Sequence, residues 1–221
     1  MGLTQAQHSF LFNETKDKYL VRQINYEDTK DLILNVHYAK RMPSISYAFG
    51  LFENSILVGL ASYGVPASPR VCEGLCGKEH SKKVLELNRL VLRNNKKNEA
   101  SILVGKSLKL LPKPTIVISY ADTSQNHVGY IYQATNFIYL GLSNKRTDRI
   151  FINGEKQKHG RHMISTDIEN IKEKTVLVDR PRKHRYLHIM ANKRDKKELL
   201  KQLKYEIKPY PKNEQHKPKA L

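Results

Sequence analysis

The chain has 221 residues, 39% apolar and 27% charged, which allows one well-filled core and an appendage. Lys and Arg outnumber Asp and Glu by 39 to 21, for a net charge of +18. No apolar run reaches the ~18 residues of a membrane span. The start MGLTQAQHSF lacks the charged and apolar regions of a secretory signal, and the polar residues after Met-Gly argue against a lipid anchor. The two cysteines make no disulfide framework. The expected setting is therefore a reducing cytoplasm.

The excess charge is uneven. Residues 145–221 hold 22 Lys/Arg against 10 Asp/Glu, and residues 1–144 hold 17 against 11. Such asymmetry favours a polyanionic partner, because Lys and Arg displace counterions condensed on phosphates. The alternative is a solvated basic tail that serves solubility.

Residues 1–17 are polar. Residues 19–24 (YLVRQI) alternate as a strand. Asn25, followed by Asp28, is expected to cap a helix with Leu32, Ile33 and Val36 on one face. That helix is expected to carry HYAKRMP and to stop by Pro43. Tyr47–Phe52 and Ile56–Tyr63 form a hairpin around Glu53-Asn54-Ser55. Residues 66–83 contain Gly, Pro and both cysteines and are expected to form a loop. Residues 84–92 read as a strand with alternate polar residues, and residues 99–111 as a helix closed by Pro112. Residues 116–120 form a buried strand. A helix is expected next, with Tyr130, Tyr132, Phe137 and Tyr139 at mostly core positions. Arg149–Asn153 with Gly154 suggests another hairpin. The remaining tail is basic, with a short helix expected over Lys193–Lys204. The order is β-α-β-β-β-α-β-α-β, with a linker-like break near 155–175.

Several residues carry chemistry. His37 can take a proton or bind a metal, or it can simply meet carbonyls at a helix end. Arg41 offers a fork for phosphate. Arg89 lies inside an apolar strand and needs a carboxylate, Glu86 being nearest in sequence, or an anionic ligand. Ser101 offers a hydroxyl early in its helix. Asp122 stands at a strand end, where acids of open sheets often work, or it caps the next turn. His127 is a cap-region candidate. Tyr132 and Tyr139 either pack the core or stack on an extruded base. Cys72, Cys76 and His80 have C-x3-C-x3-H spacing without an evident fourth zinc ligand, so reduced thiols in a loop are preferred. No Walker or dinucleotide glycine pattern is present.

The stretches HYAKRMPSISYAFGLF, GVPASP, ELNRLVL, NEASILVGKSLKLL and SYADTSQNHVGYIYQATNFIYLG, in that order over about residues 30–142, together resemble the Mom DNA-modification family. The resemblance implies an α/β (α+β) fold with a GNAT-like central mixed sheet and flanking helices. Residues 1–155 would form the catalytic domain, and residues 156–221 a basic C-terminal extension that contacts DNA. It also implies a reaction: addition of a methylcarbamoyl, acetamide-type group to N6 of adenine in double-stranded DNA, which protects phage DNA from restriction in the host bacterial cytoplasm. By that likeness His37, Tyr38, Arg89, Ser101 and Asp122 are the catalytic candidates, and His37 and Asp122 the candidate metal ligands. Arg41, Arg180, Arg182, Lys183 and Arg185 are the candidate DNA contacts. Iron, and an acyl-CoA or aminoacyl-type donor, are the implied cofactor and group donor, and a homodimer is the assembly considered. One departure stands out: GNAT enzymes usually carry Gln/Arg-x-x-Gly-x-Gly/Ala before the helix that cradles the coenzyme pyrophosphate, and here that place reads NNKKNEASILVG. Two other functions stay open, a GNAT-type N-acetyltransferase acting on a small or protein amine and a non-catalytic DNA-binding protein.

Overall fold

The computed structural model describes residues 18–151 and 175–212. Strand β1 (Leu20–Gln23) leads to Asn25, whose backbone N–H donates to the Asp28 carboxylate at 3.2 Å and so starts α1 (Tyr26–Asp31) as its sequence signal predicts. The chain then widens into one π turn, Leu32–Val36, closed by the His37 N–H on the Leu32 carbonyl at 2.9 Å. The helix expected to run to Pro43 therefore ends here. His37 has extended backbone angles, and Tyr38 to Arg41 are exposed, so no buried face holds further turns.

Strands β2 (Tyr47–Glu53) and β3 (Ile56–Gly64) form the expected hairpin, turning at Asn54 and Ser55, both with positive φ. The expected loop over 66–83 instead contains α2 (Pro69–Cys76) and a 3₁₀ turn, Lys78–Lys83. Pro69 opens that helix, and Cys72, Leu75 and Cys76 bury one side of it. β4 (Val84–Leu92), α3 (Glu99–Leu110) and β5 (Thr115–Asp122) match their sequence signals. The aromatic stretch does not form one long helix. It divides into α4 (Tyr130–Ala134) and β6 (Ile138–Leu142), with Asn136 at φ 60 between them. Strand β7 (Thr147–Phe151) pairs with β8 (Thr175–Asp179), while Gly154 and the 155/156 boundary lie outside the described residues. β9 (Lys183–Met190) and α5 (Lys193–Lys201) follow.

The main sheet has the order β1-β2-β3-β4-β5-β9-β6, with β4 and β5 parallel and the other neighbours antiparallel. The mixed α/β class with flanking helices is the one expected. The basic segment assigned to an extension contributes an interior strand, since β9 lies between β5 and β6. Its KHRYLHIM sequence looks like a charged tail, yet Tyr186, Leu187 and Ile189 are buried. On one face α3 packs over Phe49, Leu51, Tyr63, Leu87, Val117 and Tyr186. On the other, α2 and α5 cover Val84, Ile116, Ile118, Leu187 and Ile189. A smaller cluster seats Leu32 and Ile33 on Leu60 and Val91.

One break in the sheet positions the site. The β4–β5 ladder has only three pairs, Val84↔Ile116, Leu85↔Val117 and Glu86↔Ile118. Beyond it the Ser119 hydroxyl donates to the Leu87 carbonyl at 3.0 Å, a side chain standing in for the lost ladder. The two strands part there and leave a cleft.

Candidate active site

A cavity of about 460 Å³ occupies that cleft, a volume typical of small-ligand sites. Its lining comes from three separated segments: His37 and Tyr38 after the π turn, Glu86 to Leu90 on β4, and Tyr120 to Asp122 on β5 with the turn and α4 that follow. Lys183, at the start of β9, completes one side. The fold thus brings together His37, Tyr38, Arg89 and Asp122. Ser101 is not in the lining; its hydroxyl donates to the Asn98 carbonyl at 3.0 Å, at the start of α3.

His37 is buried, and its Nδ1 accepts the Ala39 N–H at 3.0 Å. In the neutral ring this leaves the proton on Nε2. Burial, then the Arg89 guanidinium, pull its pKa down to about 4. Tyr38 stacks on the His37 ring with centroids 4.4 Å apart and is itself 68% exposed.

Arg89 has no salt bridge to a carboxylate among the described residues. Its Nη1 donates to the Asn88 carbonyl at 2.7 Å and its Nη2 to the Arg41 carbonyl at 2.8 Å, while its buried Nε–H has no partner. Burial and the neighbouring Arg41 lower its pKa. Asn88 braces the same corner, accepting from Ser62 Oγ and donating to the Ser44 carbonyl, each at 2.7 Å.

Asp122 caps the turn that follows it. Its Oδ1 accepts from the Ser124 N–H at 3.0 Å and the Ser124 hydroxyl at 2.7 Å, and Lys183 Nζ lies 3.2 Å from its Oδ2. Burial pushes this carboxyl up, but the Ser124 hydrogen bonds and Lys183 outweigh it and hold the pKa below the usual value. Glu86 is the other carboxyl of the cavity, and burial raises its pKa against the opposing pull of Lys183 and Arg89. From the sequence Glu86 reads only as a partner for Arg89, and Asn88 and Tyr120 do not stand out. The usable signal was the alternation of polar residues in ELN, which places Glu86 and Asn88 two apart in a strand.

The implied iron does not fit the donors as they stand. His37 Nδ1 is engaged by Ala39, both Asp122 oxygens are engaged, and no group of three His, Cys, Asp or Glu suited to a metal exists among the described residues. Cys72 and Cys76 are buried free thiols on α2, while His80 Nε2 pairs with Gln202 Oε1 at 2.7 Å. An acyl-CoA fits poorly too. The N-terminus of α3, where the resemblance would seat the pyrophosphate, begins with the fully buried Glu99, whose carboxylate accepts from the Lys96 N–H at 2.7 Å and the Tyr19 hydroxyl at 3.1 Å. A second anion there would meet a buried carboxylate.

Of the candidate DNA contacts, Arg41 is exposed. Arg180 is ion-paired with Asp148, and Arg182 Nε donates to the Ser143 carbonyl at 2.6 Å. Lys183 faces Asp122, and Arg185 lies 4.4 Å over the Tyr205 ring. No helix among the described residues is long and apolar enough to cross a membrane.

Structural neighbours include an N-acetyltransferase from Staphylococcus aureus (15% identical, TM-score 0.43, covering 78% of this chain and 99% of that one). The ribosomal-protein-S18-alanine N-acetyltransferase of Escherichia coli is another (9% identical, TM-score 0.45, covering 78% and 94%). In sequence the chain is 28% identical over 197 residues to the methylcarbamoylase Mom of Escherichia phage Mu, covering 83% of this chain and 79% of that relative. The Mom protein family matches residues 18–212, nearly the whole chain and all three segments that build the cavity. The chain belongs to the Mom protein family.

Proposed function

We propose that this chain is a DNA-modifying transferase that places a methylcarbamoyl group on N6 of adenine, protecting phage DNA from restriction in the host bacterial cytoplasm. The observation that carries the reading is the gathering of His37, Tyr38, Arg89 and Asp122 from three separated segments around one cavity, in a chain similar to a phage methylcarbamoylase.

Adenine N6 is buried in the paired stack, so the nucleotide must swing out at a cost of roughly a few kcal/mol. The exposed Tyr38 ring, backed by His37, is a stacking surface at the cavity for the extruded purine. His37 Nε2–H and the Arg89 guanidinium, which keeps a second N–H on each Nη, then offer donors to the oxygen or anionic group of the donor molecule, where charge builds as the new bond forms. Lys183 and Asp122 hold each other at the far side and fix the end of β5 against β9. Exposed basic side chains supply affinity for the duplex backbone without choosing sequence.

Nucleoside mass spectrometry of plasmid DNA from cells expressing the chain tests this. The expected result is an adenine carrying the acetamide-type mass increment, absent from cells expressing a folded Arg89→Ala or Asp122→Ala chain. Unmodified DNA, with coenzyme A retained by the pure protein, would favour an ordinary N-acetyltransferase. Unmodified DNA with salt-sensitive duplex binding would favour a non-catalytic binder.

A further inference from the structure

We propose that Glu86 is the proton acceptor for the attacking exocyclic amine; this rests on the transferase reading above. An amine that forms a bond to an electrophilic carbon must lose a proton, so the cavity needs an acceptor with a free lone pair. His37 does not supply one: its Nε2 already bears the proton, and its Nδ1 lone pair is used by Ala39. Asp122 has both oxygens engaged by Ser124 and Lys183. His127 belongs to an exposed part of the lining, in the turn that follows β5. Glu86 lines the cavity at the last β4–β5 pair, where the strands part, and its carboxyl has neither hydrogen bond nor ion pair among the described residues.

Its surroundings suit the task. Arg89 and Lys183 act on it as cations, and Tyr120 and Tyr132 also line the cavity. Burial raises its pKa against the pull of these two cations, which makes it a better proton acceptor than a surface carboxylate. The step balances as follows. The N6 lone pair attacks the electrophilic carbon of an activated donor, and the N–C bond forms as the carbon–leaving-group bond breaks. The leaving group departs with that electron pair, and one N6 proton passes to a Glu86 oxygen, which later returns it to the leaving group or to water.

The test compares modified adenine in plasmid DNA from cells expressing wild type, Glu86→Gln and Glu86→Asp, normalised to soluble protein. Melting and duplex binding of the purified chains are measured alongside. Glu86→Gln should lower modification by roughly 100-fold or more, the range for loss of a general base, with duplex binding and melting near wild type. Glu86→Asp should retain an intermediate level. If the glutamine chain melts early, Glu86→Ser carries the same expectation. Modification by Glu86→Gln within about threefold of wild type overturns the assignment while leaving the transferase reading intact, as does a loss confined to duplex binding. Wild type that makes no modified adenine removes both.

Discussion

Arg89 reaches back 48 residues to hold Arg41, donating from Nη2 to its backbone carbonyl at 2.8 Å. Two cations are thus brought together through a peptide dipole, and the loop carrying His37 and Tyr38 is pinned to β4. The same guanidinium donates to the Asn88 carbonyl, while Asn88 ties down Ser44. The fork therefore has a structural task and a chemical one: each Nη gives one N–H to a carbonyl and keeps a second.

Arg89→Lys separates the two. Lysine keeps the charge but cannot span both carbonyls with a planar fork. We expect stability to fall by roughly 1–3 kcal/mol, read as a lower urea midpoint at unchanged slope, with adenine modification lost. A lysine chain with wild-type midpoint and modification would mean that the fork does neither job.

Gly129 starts α4 at φ +83, and a Cβ there would lie 2.4 Å from Cε2 of the Tyr186 ring. Tyr186 is fully buried, so it cannot yield freely. Gly129→Ala should cost about 1–3 kcal/mol and reduce modification, because residue 129 lines the cavity. Gly105→Ala in α3 is the contrast: its nearest neighbour would be Thr135 Cγ2 at 3.9 Å, and the change should be neutral or stabilise by about 0.5–1 kcal/mol. Similar melting of the two chains would contradict this account.

Acid should destabilise the fold through two histidines. His37 and His188 both have pKa values pulled down to about 4, by burial first and then by Arg89 and Lys196 respectively. The unfolded chain, with His near 6.5, binds more protons than the folded one between those values. Stability is therefore fully present above about 6.5 and is lost as pH falls toward 4, by on the order of 1–3 kcal/mol per histidine after solvent screening. His188 Nδ1 is buried without a partner, and its ring packs 5.2 Å from Phe137. His188→Phe should melt less steeply with falling pH than wild type; an equal slope would remove His188 from the explanation.

The sequence made some elements plain and hid others for identifiable reasons. The β2–β3 hairpin, β4, α3 and β5 were legible because apolar periodicity and turn residues agreed. α2 was hidden by the Gly and Pro residues around it, although Cys72, Leu75 and Cys76 share one face. β9 was hidden by charge: Lys183, His184 and Arg185 read as tail, while Tyr186, Leu187 and Ile189 carry the burial. His37, Arg89 and Asp122 were legible as polar residues at element ends or in an apolar strand, whereas Tyr38 came only from the family resemblance. Glu86 was legible only in part: the ELN alternation puts it on one strand face with Asn88, but its place in a cavity depends on the parting of β4 from β5, a tertiary fact.

β9 also decides how the proposed DNA contacts can be tested. Cutting the chain near residue 175 would remove an interior strand and unfold the sheet, so point substitutions are required. Arg41 is exposed, and the Arg180 side chain makes a part-exposed pair with Asp148, a kind of pair worth little and exchangeable for a phosphate. Arg185 is committed to Tyr120 and to the Tyr205 ring. Arg41→Ala and Arg180→Ala should each weaken duplex binding across sequences and make the slope of log K against log salt shallower by about 1. Arg185→Ala should leave that slope unchanged while lowering the melting temperature. Titrations of a labelled duplex at several salt concentrations read both quantities, and a slope unmoved by Arg41→Ala and Arg180→Ala would place the DNA on another surface.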